Sequence, residues 1–242
     1  MLDMDGVLAE VSQSYRSAIL QTCAFFLGRS DLVTTEVVSA KKAAGGCNND
    51  WVLSRDLIVE YMVEGSSPSL VDVTAKFEAL YQGSGDVPGV KDLETLIPAL
   101  GLLRELRRRC PGKMAIVTGR PRADCLYFLK LHGIESLFDA CVCMEDGPPK
   151  PSPFPTVRAC DLLSVPYATA VLVGDTPDDI RSALAAGARA FGVATPEDAA
   201  RCILDKKDIG GAGTLSGACR EAGAERLILP GLAHLLDIFE PL

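Results

Sequence analysis

The spacing of apolar residues divides the chain into regions of different period. From Val11 to about Gly85 apolar positions recur at intervals of three and four, as on one face of a helix. Tyr15, Ala18, Ile19, Thr22, Cys23 and Phe26 predict a first helix with Ser12 as its cap. Thr34, Thr35 and Glu36 open a short second helix, and Asp50 stands as the cap of a third carrying Trp51, Leu53, Leu57, Ile58 and Tyr61. A fourth is predicted from Ser69 to Tyr81, with no strand pattern anywhere in this region. The stretch Gly83 to Gly89 reads as a linker.

Beyond it helix and strand alternate. A helix from about Asp92 to Arg109 leads to the strand Lys113–Val117, which ends at Thr118-Gly119-Arg120. A helix (Ala123 to Leu131), a strand (Ala140 to Met144), a loop from Glu145 to Ser152 containing Lys150, and a helix to about Leu163 follow. The strand Ala170–Val173 runs into Gly174-Asp175-Thr176-Pro177-Asp178-Asp179, then a helix (Ile180 to Ala186) and a strand (Ala190 to Val193). Repeated strand-helix units imply a parallel sheet covered on both faces, with its site beyond the carboxyl ends of the strands. Each polar cluster just named falls at such an end. Asp205 to Gly217 reads as an exposed loop, Leu227–Pro230 as a final edge strand and Gly231 to Phe239 as a helix. The run Gly210-Gly211-Ala212-Gly213 lacks the Gly-Lys-Ser/Thr of a phosphate loop and reads as structural filler.

The most suggestive stretch comes first: Leu2-Asp3-Met4-Asp5-Gly6-Val7. Two carboxylates two residues apart at a strand end can enter one site, one as a nucleophile and the other as a proton donor and acceptor. An ordinary turn is the alternative; an EF-hand calcium loop is disfavoured because Ser14 stands where its bidentate Glu belongs. Only Met1 and Leu2 precede Asp3, against about five or six residues in a usual strand. The expectation is a stub strand, or one begun in a longer polypeptide.

Composition narrows the class. At 48% hydrophobic, 242 residues can bury an ample core without crosslinks. The net charge of −8 disfavours nucleic acid as a partner, and the one basic run, Arg107-Arg108-Arg109, closes a helix where cations favour the dipole. Nine cysteines, odd in number and without Cys-x-x-Cys spacing, suit reduced thiols rather than a disulfide framework or zinc site. With no leader pattern and no apolar run approaching about 18 residues, the chain reads as cytoplasmic, with no membrane contact.

Asp3/Asp5, Thr118/Gly119, Lys150 and Asp175/Asp179 together resemble the four motifs of the haloacid dehalogenase superfamily of phosphatases: an Asp-x-Asp strand end, a Ser/Thr strand end, a Lys and a Gly-Asp-x-x-x-Asp turn, in that order. The resemblance covers residues 2 to about 195. It implies an α/β fold, with a Rossmann-like parallel sheet flanked by helices in residues 1–11 and 88–242 and an inserted α-helical cap domain in 12–87. By it Asp3 is the nucleophile that becomes an aspartyl phosphate and Asp5 the general acid/base. Thr118, Gly119 and Lys150 hold the phosphoryl group. Asp175 completes a Mg²⁺ site with the Asp3 carboxylate and the Asp5 main-chain carbonyl, and Asp179 braces that site or joins it through water. A hard cation also answers the physics, since carboxylates crowded into one pocket repel each other.

The implied reaction is Mg²⁺-dependent hydrolysis of a small-molecule phosphate ester. Val11-Ser12-Gln13-Ser14-Tyr15-Arg16 and Gly45-Gly46-Cys47-Asn48-Asn49-Asp50-Trp51 are reminiscent of a capped branch whose members occur beside or fused to histidine-biosynthesis enzymes. That makes histidinol phosphate one candidate substrate, a sugar phosphate another, and a fusion partner at the N-terminus an expectation. Asn48 and Asn49 are candidate substrate contacts, with a helix cap and turn as the alternative for the same loop. Asp5 argues against a dehalogenase. A sugar-phosphate mutase remains open, as does the oligomeric state; a phosphonate hydrolase using Lys41, Lys42 or Lys76 is disfavoured because such enzymes place a small residue where Asp5 stands, and the intact Asp3, Asp5, Thr118, Lys150 and Asp175 weigh against a non-catalytic scaffold of the same fold.

Overall fold

The computed structural model describes residues 1–63, 65–205 and 208–239. It divides into two compact units, Val11–Thr95 and Met1–Glu10 together with Leu96–Leu242.

The first unit is helical, built from α1 (Tyr15–Leu27), α2 (Thr35–Ala44), α3 (Asp50–Tyr61) and α4 (Leu70–Gln82). Helix α1 packs on α3 and α4, burying Ile19, Leu57, Ile58 and Phe77, with the Tyr15 ring 4.3 Å from that of Tyr81. Thr34 and Ser69 cap α2 and α4 with their hydroxyls. Two expected caps differ. The residue at the start of α1 is Ser14 rather than Ser12, and its side chain makes no capping bond. Asn49, not Asp50, caps α3: its Oδ1 accepts from the N–H groups of Trp51 and Val52, while Asp50 begins the helix and pairs with Lys42 at 2.7 Å. The expected linker is instead a hairpin in which β2 (Gly83–Ser84) runs antiparallel to β3 (Val87–Pro88). A side chain on Gly89 would meet the Tyr81 carbonyl at 2.2 Å, so the closure needs a glycine. Strands of two residues carry no alternation from which to predict them.

The single helix expected from Asp92 to Arg109 is broken into a 3-10 turn (Val90–Leu93), the short strand β4 (Thr95–Leu96) and α5 (Leu100–Arg109). Pro98 accounts for the break, because it disfavours the helical conformation at Ile97 and donates no hydrogen bond.

The second unit is α/β. Strands β5 (Ala115–Val117) and β6 (Ala140–Val142) pair in parallel, as do β7 (Val171–Gly174), β8 (Arg189–Val193) and β9 (Arg226–Ile228). Residues 1–3 join the two sets. Leu2 bridges both Ile116 and Val173 in parallel, its N–H donating to Ala115 and the Asp3 N–H to Val173. This opening segment is thus central to the sheet, and after it the chain turns over the Met4 carbonyl into β1 (Ala9–Glu10). The Met1 nitrogen donates to the Val171 carbonyl at 2.7 Å. Beside it opens an apolar cavity of about 420 Å³ lined by Met114, Ala115, Val171 and Leu235.

Ala115, Val117, Leu172 and Ala190 share one core cluster with Ala159, Leu163, Ile180, Ala183 and Cys219 from α7 (Phe154–Leu163), α8 (Pro177–Ala185) and α10 (Leu215–Glu221). Alternation sends Ile116, Val173 and Phe191 to the opposite face, where they too are buried, so the sheet is covered on both sides. Helix α6 (Arg122–Leu131) follows β5.

The tail departs most from expectation. Helix α9 (Pro196–Leu204) precedes the stretch read as a loop, and α10 begins inside it. Thr214 caps its start, its hydroxyl accepting from the Gly217 N–H at 2.9 Å, and Asp198 adds a long-range hold that local sequence does not announce, its carboxylate accepting from the Leu215 and Ser216 N–H groups at 3.1 and 3.2 Å. Lys206 and Lys207, within that stretch, lie outside the described residues. The strand β9 forms as expected on the far side of β8, but the final predicted helix is a 3-10 turn (Ala233–Asp237). All nine cysteines are free, six of them buried. Among the described residues no helix is long and apolar enough to cross a membrane.

Candidate active site

Parallel strands deliver the predicted clusters to one end of the sheet. Asp3 leaves the central segment between β5 and β7, Thr118 follows β5, and Asp175 follows β7. Asp179 lies in the first turn of α8, where its Oδ2 accepts from the Thr176 N–H at 3.0 Å and the Thr176 hydroxyl at 2.6 Å. That reciprocal cap fixes the Gly-Asp-x-x-x-Asp turn. Lys150 reaches in from the loop before α7, donating to the Val117 carbonyl at 3.2 Å and pairing with Asp3 at 2.9 Å and, closely, with Asp179.

These groups are buried: Asp3, Thr118, Lys150, Asp175 and Asp179 each expose 6% or less of their surface. Asp3, Asp175 and Asp179 each offer an oxygen, all within 4.8 Å of one another. Lys150 pairs with two of these three carboxylates, Asp3 and Asp179. Burial pushes the Asp3 carboxyl up to about 7, with Lys150 opposing the rise and Asp179 and Asp5 adding to it. For Lys150, burial works to lower the pKa, but the carboxylates of Asp179 and Asp3 outweigh it and the net shift is upward. The ammonium therefore stays charged. An all-oxygen cluster of carboxylates suits a hard divalent cation such as Mg²⁺ and not a soft transition metal.

Two glycines make this approach achievable. A Cβ on Gly174 would lie 2.2 Å from that of Asp179, and one on Gly6, at φ +72°, would lie 2.5 Å from Asp175 Oδ2. Gly6 thus serves the close approach of two motifs as well as the turn.

Asp5 stands apart from the three-carboxylate cluster. Its Oδ1 accepts from Arg120 Nε at 2.7 Å and lies 2.6 Å from Arg120 Nη2, and it is partly open to solvent. The sequence pattern does not single out Arg120. Its position two residues after Thr118 was the available signal, but the pairing spans more than a hundred residues and only the sheet reveals it. Thr118 Oγ1 accepts from the Arg120 N–H at 3.1 Å, and Gly119 provides the turn between them.

Among the loop candidates, Asn49 is occupied as the α3 cap, whereas Asn48 Nδ2 is buried with no hydrogen-bond partner among the described residues. Trp51 donates from Nε1 to Glu78 at 3.0 Å. Lys41 pairs with Glu60, Lys42 with Asp50, and Lys76 lies over the Phe25 ring at 4.3 Å. An imine-forming lysine needs a neutral amine. The Glu60 hydrogen bond moves Lys41 the wrong way, upward.

A family model for haloacid dehalogenase-like hydrolases matches residues 1–193, and the chain belongs to that family. A protein of Phytophthora nicotianae named imidazoleglycerol-phosphate dehydratase is 50% identical over 239 residues, 98% of this chain and 51% of that protein. A phosphoglycolate phosphatase of Cupriavidus necator is 33% identical over 118 residues, 48% of this chain and 50% of that one. The chain thus spans about half the length of these curated relatives. A solved structure, a predicted phosphoglycolate phosphatase from Haemophilus somnus, superposes with a TM-score of 0.70 at 18% identity, covering 99% of this chain and 96% of that one. That likeness establishes the shared fold.

Proposed function

We propose that this hydrolase is a Mg²⁺-dependent phosphatase that cleaves a small-molecule phosphate monoester through an aspartyl phosphate on Asp3. The observation that carries the reading is the convergence of Asp3, Lys150, Asp175 and Asp179 at the carboxyl end of the sheet. The Asp3 carboxylate attacks phosphorus. Lys150 and the Thr118-Gly119 turn hold the phosphoryl oxygens and stabilise the charge that spreads over them. Asp5 protonates the leaving oxygen and then takes a proton from the water that opens the aspartyl phosphate. Asp3, Asp175 and the Asp5 main-chain carbonyl would hold the cation, with Asp179 bracing Lys150. When bound, the metal supplies charge neutralisation on the phosphoryl group.

Residues 12–87 serve as a cap domain in this reading, and the free cysteines favour a reducing compartment such as the cytoplasm. The relatives include a phosphoglycolate phosphatase and a protein named imidazoleglycerol-phosphate dehydratase. The latter is about twice as long as this chain, so its name covers more than the matched portion. Histidinol phosphate stays among the candidate substrates on the sequence resemblance of Val11–Arg16 and Gly45–Trp51.

The test is phosphate release by purified protein from a panel holding phosphoglycolate, histidinol phosphate, sugar phosphates and an aryl phosphate. Turnover should require Mg²⁺, stop with a chelator and return on adding Mg²⁺ back. No turnover on any ester with Mg²⁺ present defeats the proposal in favour of a scaffold role.

A further inference from the structure

Arg120 is a buried guanidinium that the reaction as described above does not use. Its side chain exposes 1% of its surface, while its partner Asp5 exposes 29%. Nε and Nη2 both meet the same carboxylate oxygen, Oδ1, at 2.7 and 2.6 Å. The guanidinium carbon also sits 5.6 Å from the centre of the Phe128 ring in α6. The backbone is held from both sides, the N–H by Thr118 Oγ1 at 3.1 Å and the carbonyl by the Met144 N–H at 2.9 Å. Pro121 follows directly and restricts Arg120 to extended conformations. Few degrees of freedom remain to this side chain. Asp5 is differently placed, in the turn after Asp3 that closes over the Met4 carbonyl. A carboxylate there has a rotamer to choose, and a general acid is effective only when held in line with the departing oxygen.

We infer that Arg120 is a positioning residue that fixes the Asp5 carboxylate through Oδ1, leaving Oδ2 for proton exchange with the leaving group. The inference rests on the proposed role of Asp5 as general acid/base. It also explains the burial of an arginine within the motif that supplies Thr118: a buried guanidinium is costly unless paired, and here its pairing orients a reacting group.

The experiment compares kcat/KM for an aryl phosphate, whose leaving group departs without help, with that for an alkyl phosphate, which needs protonation. Arg120→Met should lose about 10²-fold or more on the alkyl ester and under about tenfold on the aryl ester. Arg120→Lys should recover part of the alkyl loss. In Asp5→Asn the further change Arg120→Met should cost little, since one residue acts through the other. This double variant removes both charges and keeps the question answerable if Arg120→Met alone folds poorly. Equal losses on the two esters for Arg120→Met, or additive losses in the double variant, overturn the inference while leaving the phosphatase reading intact. An Asp5→Asn variant that loses equally on both esters removes the acid/base role of Asp5 and the inference with it. In that case phosphate trapping on Asp3 shows separately whether the covalent reading survives.

Discussion

In the α/β unit the polar groups at the strand ends find partners far away in sequence: Lys150 meets Asp3 and Asp179, and Arg120 meets Asp5. In the helical unit the loop from Gly45 to Trp51 mostly finds partners nearby, with Asn49 capping its own helix and Asp50 pairing with Lys42. The contrast separates two uses of polar residues. Local pairs satisfy helix ends and would be present whatever the protein did. Long-range buried pairs force charge into a dry site at a cost in desolvation, which is the expected mark of groups retained for chemistry.

Substitutions sharpen this contrast, and the largest effect belongs to Asp3, the proposed nucleophile. Asp3→Asn should abolish turnover and the covalent adduct together while leaving the fold intact. Trapping of phosphate or a fluoride mimic on another residue would overturn the assignment. Lys150→Met should come next. It leaves Asp3 and Asp179 buried without their counter-charge, at a cost of about 3–5 kcal/mol read from denaturant unfolding. Added Mg²⁺ should return part of that stability by binding the folded state. A variant as stable as the parent would mean that the buried pairs contribute no more than surface ones.

Smaller effects follow. Gly6→Ala places a side chain at positive φ, costing about 1–2 kcal/mol in backbone strain alone. By crowding Asp175 it should also raise the Mg²⁺ concentration needed for half-maximal activity. Unchanged metal dependence would remove Gly6 from the site's construction. Smallest is Asn49→Ala, expected to cost about 1 kcal/mol of stability through its cap and to leave the ranking of substrates unchanged. Asn48→Ala, at the buried amide without a described partner, is the variant expected to alter that ranking. If Asn49→Ala changes the ranking and Asn48→Ala does not, the division between local and functional groups in this loop fails.

Much of this is legible in the sequence. The motif residues Asp3, Thr118, Lys150 and Asp175 were identifiable because each stands just after an apolar run or within a polar loop between two predicted elements. Amphipathic helices such as α1 and α4 were legible because their buried stripes extend over several turns. What escaped was short or decided at a distance. The hairpin strands of two residues, the Pro98 break and the Asp198 hold on α10 offer no sustained period. Asn49 and Asp50 could exchange roles as cap because both are good caps one residue apart, and backbone geometry chose between them.

The sequence by itself determined which residue types stand at the ends of which apolar segments, and from these the α/β class and the chemistry at stake. Side-chain period and turn chemistry are local properties, readable wherever a segment is long enough to repeat them. The tertiary structure alone decided how the charges are shared: that Lys150 braces Asp179 as well as Asp3, that Asp5 rests on Arg120, and that Gly6 and Gly174 make room for carboxylates. Those pairings depend on which strands become neighbours. Strand order is set by burying both faces of one sheet at once, a condition on the whole chain that no window of it contains.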